Sequence, residues 1–201
     1  MNVEILNVST EKPLSLIGSV AGVSHGKEDG SVKRALNCWR MGHTSVLEHV
    51  SVTWHVDGIS RACSHQLVRH RLASFCQLSQ RYTKLDTEGE DWYVTPAAFA
   101  ERGLGAKYKQ QMRTAGLEYE CAMRAGVKPE DARCLLPEAT KTSVNVTMNL
   151  REFVSFYRLR SDKSAQWEIR ELAHRMLAGL AHLEQDEWTR VYNVIASNEV
   201  F

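Results

Sequence analysis

The chain has 201 residues, a formal net charge of +1, 43% hydrophobic residues and 24% charged residues. That length predicts one compact domain over residues 1–201, and the composition excludes an intrinsically disordered chain. A charge so near zero excludes a general polybasic nucleic-acid binder, but not a local cationic site.

In chain order, Val3, Ile5 and Val8 form a short apolar stretch that predicts an opening strand. Pro13 predicts the start of a helix reaching about Val23, and Gly26–Gly30 a loop. Val32, Ala35, Leu36 and Trp39 fall on one helical face, with Gly42 as the stop. Val50, Val52, Trp54 and Val56 alternate as a strand, which Asp57-Gly58 is expected to break. A helix is predicted from about Ser60 to Arg71. Thr95-Pro96 reads as a cap and first helical position, and a long helix from about Leu104 to Arg124 ends at Gly126.

Val144, Val146 and Met148 predict a further strand. Asn149 and Glu152 have the spacing of a capping box, followed by a helix burying Leu150, Phe153, Val154 and Tyr157. The last predicted helix spans about Ala165 to Leu183. Its Trp167, Ile169, Leu172, Ala173, Met176, Leu177 and Leu180 read as core or subunit contact. The fold class is therefore helix-rich α/β (α+β), a small mixed sheet flanked by long helices.

The first residues, Met1 to Leu6, carry neither a basic segment nor a long apolar run, and no stretch approaches the length of a membrane span. The five cysteines are scattered and never form C-x-x-C, so free thiols in a reducing, cytoplasmic compartment are expected. The histidines have no zinc-like spacing, and no metal is expected.

The densest polar stretch is Gln66 to Tyr82. On a helix, Gln66, Arg69 and His70 would share one face. Arg69-His70-Arg71 concentrates positive charge that a phosphate would relieve, because arginine binds such groups bidentately. The same triplet is equally readable as cationic capping of a helix C-terminus. A non-catalytic grip on RNA or single-stranded DNA is a third reading, though such sites use a longer positive groove with aromatic platforms.

Arg69-His70-Arg71, seven residues and then Ser79 resembles the R-H-R-x7-S signature of flavin-dependent thymidylate synthases. Gly42-His43-Thr44-Ser45 through Glu48-His49 resembles a second segment of that family. Asn149, Arg151 and the run Leu159–Ile169 resemble its C-terminal signature, and Ala132-Arg133 before Leu136-Pro137 a nucleotide-contact segment. The resemblance runs from about residue 20 to 170. Departures stand at Gly22, Cys76-Gln77 and Ser164.

The resemblance implies a methyltransferase of dTMP biosynthesis. It would convert dUMP to dTMP with 5,10-methylenetetrahydrofolate as one-carbon donor, FAD as carrier and NADPH as reductant. It also implies a homotetramer with active sites at subunit interfaces, and no membrane or nucleic-acid partner. Contacts to FAD are implied for His43, Ser45, Glu48, Arg69, His70, Arg71, Gln77, Asn149, Arg151 and Ser155. Contacts to dUMP are implied for Gln66, Arg69, Gln77, Ser79, Arg81, Arg133 and Arg160. Arg160 and Ser79 are the catalytic candidates. Arg160 would favour negative charge on the uracil ring, and Ser79 would donate a hydrogen bond, since no His or Asp is spaced to activate it as a nucleophile. A sister flavoenzyme that hydroxymethylates a pyrimidine nucleotide, or methylates another one, shares this pattern.

Overall fold

The computed structural model describes residues 1–27, 29–183 and 185–197. The chain runs β1 (Asn2–Val8), α1 (Pro13–Val23), α2 (Val32–Arg40), a 3-10 turn (Thr44–His49), β2 (Ser51–Ser60), α3 (Arg61–Leu67) and β3 (Ala73–Gln77). It continues through α4 (Ala97–Glu101), α5 (Gly105–Arg124), α6 (Pro129–Ala132), a second 3-10 turn (Arg133–Leu135), β4 (Lys141–Asn149), α7 (Leu150–Arg160), α8 (Trp167–Ala181) and α9 (Asp186–Ala196). The sheet order is β1-β2-β4-β3.

Cross-strand side-chain pairs set the register of β2 against β4. Thr53 bonds Thr147 at 2.9 Å, His55 Nδ1 bonds Asn145 at 2.7 Å, and Ser143 bonds Asp57. Partners that descend along one strand as they rise along the other define antiparallel pairing. The sheet is small, as expected, and antiparallel rather than mixed. On the opposite side of β2, Val52, Trp54 and Val56 are buried, which is the alternation that predicted the strand.

Contacts divide the chain into two compact units. The first comprises Met1–Val56, Leu67–Phe75 and the chain from Asn145 onward. The second comprises Asp57–Gln66 and Cys76–Val144. In the first, Trp54 packs on Phe153 with ring centroids 4.8 Å apart and donates its indole N–H to the Met176 carbonyl. Leu14 and Ile17 of α1, Trp39 of α2 and Trp188 of α9 are fully buried. The second unit has a smaller core of Trp92, Tyr93 and Met112, with Leu85, Tyr108 and Leu136 packed against it.

Several expectations are met closely. α1 spans Pro13–Val23, and α2 ends in a Schellman motif: Gly42 takes φ +78° and bonds the Trp39 carbonyl, and His43 N–H bonds that of Cys38. That motif sets where His43 leaves the helix. Other expectations are corrected. Gly58 does not break β2; at φ +73° it adopts a conformation open to glycine, and the strand continues to Ser60. The helix expected to reach Arg71 stops at Leu67. Pro96 is the cap of α4 rather than its first helical residue. Trp167 lies 41% exposed, unlike the other apolar residues of α8 named with it. The loop expected at Gly26–Gly30 includes Glu28, which lies outside the described residues, as does Glu184.

Candidate functional site

Because α3 ends at Leu67, Gln66, Arg69 and His70 do not share a helical face. Arg69 and Arg71 are exposed and His70 between them is buried, its N–H bonded to the Leu67 carbonyl at 3.2 Å. The turn thus leaves both arginine side chains exposed and turns the imidazole inward. There His70 Nδ1 meets Glu152 Oε1 at 3.2 Å, and its Nε2 accepts from Arg160 Nε at 3.1 Å. Phe156 stands edge-on to the ring, with centroids 5.0 Å apart. An arginine Nε only donates, so Nε2 carries a lone pair and the ring is neutral with its proton on Nδ1. Burial and then the Arg160 charge lower the pKa of His70 from 6.5, against the opposing pull of Glu152.

A pH dependence of stability follows. The unfolded imidazole takes up a proton more readily than the folded one. His70 therefore contributes stability in full above pH 6.5, and the contribution is lost as pH falls through the lower folded value. Urea unfolding between about pH 5 and 8 should show a steeper acid-side loss in the native protein than in His70→Gln. Equal slopes would contradict the neutral buried imidazole.

Glu152 was legible only as a capping-box residue. Asn149 does cap α7, its side-chain oxygen accepting the Glu152 N–H at 2.9 Å. The Glu152 carboxylate instead faces His70.

Also in the first unit, Thr44, Leu47, Arg151, Val154, Ser155, Arg158 and Leu159 line a groove of about 490 Å³. Arg151, Ser155 and Arg158 lie one turn apart along one face of α7. Of the residues implied for FAD, the groove takes in Arg151 and Ser155; Glu48 pairs with Arg151, and His43 and Ser45 flank Thr44 in the chain. Arg158 was missed. Its signal was present, two turns beyond Arg151 on the face that carries Ser155. Two guanidiniums and two hydroxyls beside three aliphatic side chains suit a ligand with an anionic group and an apolar ring.

The second unit holds the other candidates. Arg81 Nε pairs with Glu130 Oε2 at 2.6 Å and its guanidinium lies 5.3 Å from the Tyr82 ring centroid. Arg133 Nε donates to the Glu130 carbonyl at 3.0 Å, so one residue holds both arginines. Arg61, which the sequence did not single out, joins this group. Burial lowers its pKa, the Glu138 carboxylate raises it and the Arg133 charge lowers it. Gln77 donates to Ser64 Oγ at 2.9 Å and Thr142 Oγ1 at 3.2 Å, so its amide ties β3 to its neighbours. Gln66 donates to the Ala62 carbonyl at 3.4 Å. Ser79 Oγ accepts the Arg81 N–H at 3.3 Å, the geometry of a turn rather than of an activated nucleophile.

Among the described residues no group of three or more His, Cys, Asp and Glu side chains is placed to hold a metal ion, and no helix is long and apolar enough to cross a membrane. All five cysteines are free thiols.

On this helix-rich α+β fold, an ordered guanidinium and local clusters of arginine suit phosphorylated or otherwise anionic small molecules. A family model described as thymidylate synthase complementing protein matches residues 6–183. A flavin-dependent thymidylate synthase of Thermococcus kodakarensis is 41% identical over 194 residues, 90% of this chain and 79% of that protein. One of Pyrococcus furiosus is 49% identical over 142 residues, 70% of this chain and 58% of that protein. The chain belongs to this flavin-dependent thymidylate synthase family. It spans about three fifths of the length of several of the curated relatives it matches.

Two solved structures share the fold. The Helicobacter pylori flavin dependent thymidylate synthase complexed with FAD and dUMP aligns with TM-score 0.76 at 22% identity, covering 95% of this chain and 99% of that one. The UMP/dUMP methylase PolB of Streptomyces cacaoi bound with 5-Br dUMP aligns with TM-score 0.80 at 22% identity, covering 96% of this chain and 94% of that one.

Proposed function

We propose that this chain catalyses reductive methylation of dUMP to dTMP, using 5,10-methylenetetrahydrofolate, FAD and NADPH. The observation that supports this most is Arg160, whose guanidinium is held by the buried imidazole of the very R-H-R triplet that carries the family resemblance. When bound, FAD supplies the redox chemistry and the carriage of the one-carbon unit.

The chain's own residues bind, orient and stabilise charge. In the first unit, Arg151 and Ser155 with Arg158 would hold the anionic part of FAD, and His43, Ser45, Glu48, Arg69, His70, Arg71 and Asn149 are further proposed contacts. Arg69 and Arg160 there are proposed contacts to dUMP, with Arg160 stabilising negative charge on the uracil oxygens. In the second unit, Arg81 and Arg133 would take the phosphate, and Gln66, Gln77 and Ser79 would hydrogen-bond the nucleotide. The chain would act as one functional domain in a cytoplasmic homotetramer with interface active sites, without a nucleic-acid partner.

The test is the mass of the nucleotide formed from dUMP with methylenetetrahydrofolate, FAD and NADPH. A methyl-sized gain that requires FAD is expected. A hydroxymethyl-sized gain would transfer the assignment to the sister flavoenzyme. Unchanged dUMP with flavin bound would mean another pyrimidine nucleotide is the substrate, as the fold shared with a UMP/dUMP methylase suggests. Unchanged dUMP with no flavin bound would refute the proposal.

A further inference from the structure

We infer that Glu152 is a positioning residue that sets the Arg160 guanidinium through His70. For its effect on turnover this rests on the function proposed above; for its geometry it does not. Glu152 and Arg160 lie on the same helix, about 12 Å apart along its axis. Glu152 and His70 are each 8% exposed. The imidazole spans the interval, with Nδ1 at 3.2 Å from Glu152 Oε1 and Nε2 at 3.1 Å from Arg160 Nε. Phe156, on the helix between them, meets the ring edge-on and fixes its plane.

The bond to Arg160 exists only while the ring proton is on Nδ1. On Nε2 that proton would face the Arg160 N–H, donor against donor. A buried carboxylate on the Nδ1 side selects the required tautomer, because it is acceptor-only when ionised. It also sets a negative charge at the far end of a chain that ends in a guanidinium. Without Glu152 only the Arg160 N–H holds the proton off Nε2, so the Nε2–H form gains population and the bond to Arg160 weakens.

The tautomer is read directly from the ring 15N shifts of His70 in ligand-free protein, assigned by their loss in His70→Gln. In the native chain, a protonated Nδ1 and unprotonated Nε2 are expected. Glu152→Ala should shift proton occupancy toward Nε2, and Glu152→Gln, whose amide oxygen still accepts, should restore Nδ1–H. Turnover to dTMP should fall about 100-fold in Glu152→Ala, the scale of a small misplacement of a catalytic group. Glu152→Gln should recover most of it. On an Arg160→Ala background, Glu152→Ala should cost less than about threefold, since the two act as one unit. If Glu152→Ala does not fold, Glu152→Met fills the volume without accepting a proton and carries the same comparisons. Unchanged ring shifts, or equal losses on both backgrounds, would overturn the inference. A native protein that makes no dTMP refutes the proposed function instead, and the nitrogen shifts still decide the role of Glu152.

Discussion

Arg160→Ala should lower dTMP formation by about 10²–10³-fold, the scale seen when one preorganised donor to a developing oxyanion is removed. The reason is the order already present in the chain. Arg160 closes α7, and its Nε is bonded to an imidazole that is itself buried and bonded to Glu152. In the proposed reaction a guanidinium held in this way would need little rearrangement as charge develops on a uracil oxygen, so its electrostatic effect would fall on the transition state. Arg160→Lys keeps the charge but lacks the Nε donor and the planar fork, and should recover only a small part of the activity. The fold should survive, because Glu152 keeps its bond to His70 and the bond that Arg160 gives up to His70 is worth about 1 kcal/mol. Circular dichroism and steady-state kinetics on one preparation test both halves. Near-native turnover in Arg160→Ala would remove Arg160 from the catalytic assignment.

The largest expected effect on stability is at Trp54 of β2, in the first unit. Its side chain is fully buried, packed at 4.8 Å on Phe153 of α7 and bonded to the Met176 carbonyl of α8 at 3.3 Å. Trp54→Ala removes a large volume where a strand and two helices meet. It should cost about 3–5 kcal/mol, against a total stability of roughly 5–15 kcal/mol for a domain. At this chain length that corresponds to a fall in Tm of roughly 6–20 °C. Trp54→Phe keeps most of the packing and loses the indole N–H, and should cost much less. Thermal unfolding decides it, and a shift under about 2 °C in Trp54→Ala would mean the core closes over the gap.

The elements legible from the sequence are those whose signal is local. α1 begins at Pro13 because proline suits a first helical turn, and α2 and the long α5 follow from apolar residues at helical spacing. β2 and β4 follow from strict alternation of valines with polar residues. β3 carries little sequence signal because it is five residues long and Phe75 is the one large apolar side chain among Ala73 to Gln77. No helix was assigned beyond Leu183, although Trp188, Val191 and Ile195 of α9 carry a helical period and are buried. The R-H-R triplet, the serine after it and the family they resemble were likewise readable in order along the chain, because a motif is a local pattern.

Only tertiary structure decided what those residues touch. Glu152 has the spacing of a capping partner, and locally nothing argues otherwise. Its carboxylate turns to His70 because a charge-assisted bond to an imidazole satisfies a buried acid better than a second cap contact to backbone. Glu130 gave no local sign that its carboxylate would pair with Arg81, which lies far away in the chain. Sequence determined the helical and strand periods, the family pattern and the candidate cations. The fold decided which carboxylate meets which cation, because those bonds join groups far apart in the chain, and burial determines which proton state survives.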